Sequence, residues 1–329
     1  MKSRASESGL RTWLVRIFWL ILIIGLLVWA LFAAPLREMW ESLKQLHLWQ
    51  IGILILVNVA IFALITLRWW FIVRAEAKNI PFLPLFAYRL AAFGLSYFTL
   101  GPQIGGEPLQ VHFLQRDFRL SYARATSAVI IDKLLELLVN FLFLSAGIFT
   151  IFRAGLFSLP GPQLVGSLFP LVMVMLIPPV HITLLFHGKY PISAITRAIQ
   201  LRTGKRKFFR LLIVSEHLAG TYTHRHLRAM LAAAGVSVIA WFGMWVEYWL
   251  MAHFIQIDMT QWQALAGLTA VRVAFLMPLP GGLGALEASQ VFMMGAMGFP
   301  PAAGLTLSLL MRGRDMLLGG VGLLRAGRL

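Results

Sequence analysis

The chain has 329 residues, of which 59% are hydrophobic and only 13% charged, and its formal net charge is +16. A soluble domain carries about a quarter of its residues charged, so a single soluble globular fold is excluded. The sequence holds no cysteine, which excludes disulfides, zinc–thiolate sites and thiol catalysis.

A polytopic all-α membrane protein is the fold class that these numbers imply. The first apolar block, LVRIFWLILIIGLLVWALFA (14–33), follows a basic flank with Lys2, Arg4 and Arg11. It exceeds the roughly 7–15 apolar residues of a cleaved signal and is read as an uncleaved first span. The next block, 51–72, ends in Arg68, Trp69, Trp70 and Arg74, the residue types that anchor a span at an interface. Further spans are expected over 125–151 and 164–187, joined by the turn-rich LPGPQ (159–163), and over 229–255 and 301–324. With 14–33 and 51–72 these make about six.

Between 187 and 229 the charges cluster. Lys189, Arg197, Arg202, Lys205, Arg206, Lys207, Arg210, Arg225 and Arg228 fall in one polar connection. The positive-inside bias places it in the cytoplasm, along with both termini, and its charge suits an anionic lipid surface. No recognition module accompanies it, so nucleic acid is not an expected partner. His217, His224 and His226 lie in the same connection without metal-ligand spacing, and a solvated face is the reading for them.

Two stretches, 82–115 and 262–299, fit no span. Each is an apolar run broken by a Gly/Pro cluster and followed by a shorter, mixed run. Were 82–100 a full crossing, Arg116, Arg119 and Arg124 would lie outside, together with the large basic connection. A hairpin that enters and leaves on one side keeps every basic cluster inside. Broken helices at membrane depth occur where they are buried in protein or line a wet cavity, so both hairpins are site candidates.

The chain then divides into 1–50 with the first span and an outer loop, a repeat over 51–151, a middle portion over 152–228, and an opposite-facing repeat over 229–324, within one membrane domain. Arg89-x-Ala-Ala-Phe93 is similar to Arg272-x-Ala-Phe275, Gly105-Gly106-Glu107 to Gly281-Gly282 with Glu287, and Lys133 to Arg312. Opposite-facing repeats with broken helices characterise transporters that bind substrate at the repeat interface.

The blocks 101–138 and 278–318 resemble the lysylphosphatidylglycerol synthase transmembrane-region family, whose members are also called flippase-like domain proteins. The resemblance implies translocation of a lipid or lipid-linked substrate without lysyl-lipid synthesis, since the sequence stops at Leu329 before any aminoacyl-transfer domain. It also implies a bacterial inner-membrane location. The family's first Gly-Gly motif is represented by Gly105-Gly106-Glu107, with Gln110 where an Arg is expected. Its Asp-Arg pair is represented by Asp132-Lys133, which keeps the charge and loses the bidentate fork. The second motif is intact as Pro280-Gly281-Gly282-Leu283-Gly284 with Glu287.

A charge at mid-bilayer costs roughly 2.5–3.5 kcal/mol on insertion scales. Those in the broken segments, Arg89, Arg272, Glu107 and Glu287, are therefore expected to bind substrate, together with Asp132, Lys133, Arg312 and the glycines Gly105, Gly106, Gly281, Gly282 and Gly284. Glu136, Arg314 and Asp315 are read as pairing structurally or snorkelling near helix ends. The arginines suit the phosphate of a lipid head group. The same residues leave open a small-anion transporter, a lipid-modifying enzyme using His112, Glu107 or Asp132 as base, and a scaffold. No catalytic residue, metal or cofactor is expected, and homo-oligomerisation is left open.

Overall fold

A computed structural model describes Lys44 and residues 46–77, 79–98, 105–153, 155, 161–203, 206–277 and 279–326. The expected first span at 14–33 lies outside the described residues, as does most of the turn at 159–163. The described residues form eleven α-helices: α1 (Leu48–Glu76), α2 (Phe82–Phe98), α3 (Glu107–Phe118), α4 (Tyr122–Arg153), α5 (Gly161–Phe186), α6 (Pro191–Thr203), α7 (Arg206–Arg225), α8 (Leu227–Phe254), α9 (Gln261–Leu276), α10 (Ala285–Ala296) and α11 (Pro301–Ala326).

Three of these, α1, α4 and α8, are long and apolar enough to cross a membrane. At about 1.5 Å per residue each exceeds the roughly 30 Å of hydrocarbon. Their faces are inverted relative to a soluble helix. Helix α1 exposes Ile53, Ile55, Leu56 and Val59 while burying Asn58, Thr66 and Arg68. Helix α8 exposes Val238, Ile239, Phe242 and Val246 and buries Ser237 and Glu247. An apolar rim around a polar interior is the arrangement that lipid solvent selects. Helix α11 follows it too, with Leu317, Val321 and Leu324 outward and Ser308, Arg312 and Asp315 inward.

The two broken stretches are helix–break–helix pairs. Helices α2 and α9 have 17 and 16 residues, and α3 and α10 have 12 each. Each arm is shorter than the roughly 20 residues of a typical membrane-crossing helix. In the second pair the break is a short 3₁₀ turn at Pro280–Gly282, and Gly281, Gly282 and Gly284 all have positive φ. Side chains other than glycine are strained there, so the composition of the break follows from its backbone.

Helices from the two halves pack across one another: α1 on α8, α2 on α11 and α4 on α9. Within the halves α3 lies on α4, and α10 on α11. The α2–α11 crossing is so close that a Cβ at Gly322 would sit 2.1 Å from the Leu90 carbonyl oxygen, and one at Gly94 2.4 Å from that of Gly319. One hydrophobic core lies under α1, α2, α4 and α7, around Trp69, Leu85, Leu114 and Tyr222. A second joins α8 to α11, around Tyr248, Met251, Leu286 and Met294.

The basic connection is more ordered than its polarity suggests. It forms α6 and α7, with Ser215, Glu216, Ala219 and Tyr222 of α7 buried. Glu216 accepts the backbone N–H groups of Ile192 (2.9 Å) and Ser193 (2.5 Å), satisfying free donors at the α6 N-terminus. Burial, with Glu76 nearby, pushes the Tyr222 hydroxyl above its usual range. The histidines of this region pack on rings, His217 against Tyr190 and His224 against Phe186. Lys189, Arg197, Arg210, Arg225 and Arg228 stay exposed.

Candidate functional site

Polar residues buried by α1, α4 and α8, with those of the broken pairs and α11, converge on a cavity of about 190 Å³. Five cations line it, Arg68, Arg89, Lys133, Arg272 and Arg314, and five carboxylates, Glu107, Asp132, Glu136, Glu247 and Asp315. Both halves of the chain contribute to each set.

The first half holds a closed network. Arg68 donates from Nε to Asp132 Oδ1 (2.7 Å) and from Nη2 to Glu136 Oε2 (2.8 Å). Arg89 reaches the same two carboxylates at 2.6 and 3.0 Å. Two guanidiniums thus face two carboxylates, and this mutual pairing is what makes the burial of Arg68 and Asp132, with Arg89 and Glu136 half-buried beside them, tolerable. Lys133 bridges outward, 3.2 Å from Glu136 and 3.5 Å from Glu107. Glu107 also accepts the Gly105 N–H at 2.7 Å. Gly106 brings the break against α2, where a Cβ would stand 2.3 Å from the Ala92 carbonyl oxygen.

In the second half the balance differs. Arg314 donates to Glu247 Oε2 and to Asp315 Oδ1, both at 2.8 Å, so one guanidinium serves two carboxylates. Glu247 Oε1 is taken by Asn58 Nδ2 of α1 at 2.8 Å. Arg272 has no carboxylate within 4.0 Å among the described residues. Its guanidinium stacks over Trp241 at 4.5 Å from the ring centroid and touches the Met244 sulfur. Its Nε is buried with no hydrogen-bond partner. A guanidinium held only by an aromatic face and a thioether keeps its N–H donors for something else.

The remaining expected residues sit apart. Glu287 pairs with Arg312, whose Nε donates at 2.8 Å, and accepts the Gly284 N–H at 2.9 Å. Arg312 also donates to the Gly281 carbonyl at 3.2 Å. Gly281, Gly284, Glu287 and Arg312 form this latch, Gly282 lies in the same break, and none of the five lines the cavity. Arg89, Gly106, Glu107, Asp132, Lys133 and Arg272 do line it, and Gly105 adjoins Glu107. His112 is exposed and lies outside.

Sequence reasoning missed several lining residues. Arg68 is expected at an interface but is buried, because its partners are on α4. Arg314, Asp315 and Glu136 line the cavity where a structural or snorkelling role is expected, and Glu247 passes without notice among tryptophans. The signal for Glu247 was available, since a lone carboxylate inside WFGMWVEYWL has to find a partner.

The chain matches the family described as lysylphosphatidylglycerol synthase TM region over residues 16–321. It belongs to that family. The match takes in α1 to α10 and most of α11, so every residue lining the cavity lies within the matched span, and the chain is a membrane protein. Comparison with curated proteins and with solved structures gave no match.

Proposed function

We propose that the chain is a flippase-like translocator, carrying the anionic head group of a lipid or lipid-linked substrate through the central cavity while the acyl chains stay in the bilayer. Arg272 carries the reading: it is a cation inside a lined cavity, without a carboxylate partner, on a helix adjoining a Gly/Pro break. Phosphate oxygens match its planar donors, and Trp241 orients it beforehand.

Alternating access of two oppositely oriented halves supplies the movement. Support for that repeat comes from matched contacts. Lys133 meets Glu107 and Arg312 meets Glu287; Glu107 takes the Gly105 N–H and Glu287 that of Gly284. Arg68 and Glu247 stand the same distance apart in sequence as Lys133 and Arg312, and each ties its helix to a charge on α4 or α11. The proposed threading places the termini and the α6–α7 pair in the cytoplasm, against anionic lipid. This threading suits a transporter, and the carboxylates of Glu107 and Asp132 are engaged in ion pairs with Lys133 and with Arg68 and Arg89.

The test is reconstitution of the purified protein in phosphatidylcholine vesicles with a trace of phosphatidylethanolamine labelled on its amine, which leaves one phosphate charge. Leaflet exchange should accelerate, and Arg272→Ala should abolish the acceleration. Absence of exchange for any anionic lipid, or release of a chemical product from it, would overturn the reading.

A further inference from the structure

The cavity's charges balance when it is empty. Four of its cations are in contact with carboxylates, and the fifth, Arg272, is offset by the surplus carboxylate of the Glu247–Arg314–Asp315 group. An anion placed on Arg272 cancels that guanidinium and leaves Glu247 and Asp315 sharing Arg314. The loaded cavity would then hold one uncompensated negative charge within the hydrocarbon region, which low-dielectric surroundings strongly disfavour. Two carboxylates competing for one cation are the arrangement in which one of them takes a proton.

Geometry selects which. Both Glu247 oxygens are occupied, Oε1 by Asn58 and Oε2 by Arg314. Asp315 gives only Oδ1 to Arg314, and its Oδ2 has no partner among the described residues. The charged and titratable groups facing it are Arg314 on its own helix, Glu247 from α8, Arg272 from α9 and Tyr97 from α2, while Glu287 of α10 is held by Arg312. None of these offers Oδ2 a hydrogen bond.

We infer that translocation is coupled to a proton: one anionic head group on Arg272 enters with one proton on Asp315 Oδ2. A hydronium ion gives up its proton and leaves as water, the carboxylate becomes a neutral acid, and the loaded cavity returns to zero net charge. The inference rests on the translocation reading and adds its driving force, since a proton gradient would then pull lipid in the same direction.

The reconstituted full chain tests it, using the amine-labelled lipid in the outer leaflet and a pH-sensitive dye in the lumen. Wild type should exchange lipid faster as the outside is acidified, with half-saturating lipid falling by up to about tenfold per pH unit for one linked proton. The lumen should acidify as labelled lipid enters. In Asp315→Asn both the pH dependence and the dye signal should vanish, and Glu247→Gln, which removes the surplus carboxylate and leaves Arg314 to Asp315 alone, should lose them as well. Lipid exchange in wild type that ignores pH and moves no proton overturns the coupling and leaves translocation standing. An Asp315→Asn protein that keeps its pH dependence removes Asp315 from the role. A wild type that moves no lipid at all defeats the translocation reading and the coupling with it.

Discussion

Trp241 and Arg272 act as one unit, because the ring is the main partner the guanidinium has. Replacing Trp241 by Leu keeps an apolar wall and removes the π-face, worth about 1–2 kcal/mol where desolvated. Half-saturating lipid should rise about tenfold in the exchange assay, and Trp241→Phe should recover part of it. Arg272→Lys should be nearly as inactive as Arg272→Ala, since an ammonium lacks both the planar stack and the paired donors. Arg68 has a structural task instead. Arg68→Met strips one of two guanidiniums from Asp132 and Glu136, leaving Arg89 and Lys133, at about 3 kcal/mol. It should lower the melting temperature in detergent. That Arg68 differs from Arg74 was not legible locally. Both sit in RWWFIVR, and only contact with α4, 64 residues away in the chain, separates them. Arg89 and Arg272 were legible as cavity residues, because each is a charge in an apolar segment that a Gly/Pro cluster interrupts.

At the scale of elements, the α2–α11 crossing brings the two halves to backbone contact. Gly322→Ala would force its Cβ into the Leu90 carbonyl and Gly94→Ala would do the same at Gly319, so both should lower the melting temperature and the yield of folded protein. Gly320→Ala, two residues from Gly322 with open space around it, is the control. It should be neutral or stabilising by up to about 1 kcal/mol, from helix propensity. The helices themselves followed from apolar length and the breaks from glycine and proline. The polar connection at 189–228 was harder: α6 and α7 depend on burying Glu216, Ala219 and Tyr222 beside other elements, and charge density masked that apolar stripe. The crossing partners were also hidden, since a small residue on a helix face says that something comes near without saying what.

For the whole molecule the two breaks carry the same kind of contact at different lengths, Lys133 standing 3.5 Å from Glu107 at the first and Arg312 donating to Glu287 at 2.8 Å at the second. Gly106 and Glu107 of the first line the cavity, whereas the second is closed by Arg312 on Glu287 and the Gly281 carbonyl. In the translocator reading this is one end of the cycle, with access from the side of Arg116, Arg119 and Arg124. Removing the charge from the latch by Glu287→Gln forfeits a buried charge-assisted interaction worth about 2 kcal/mol. Populations should then move about thirtyfold toward the state opened at the second break. The chain has no cysteine, so Met311→Cys, on the cavity wall, can report access directly. In the otherwise unaltered chain a membrane-impermeant thiol reagent should modify it from the first-break side alone. With Glu287→Gln added, modification should appear from the opposite face and slow on the original one. Equal labelling from both faces in both backgrounds would describe a channel, and unchanged one-sided labelling would show that the Arg312–Glu287 pair does not hold the second side shut.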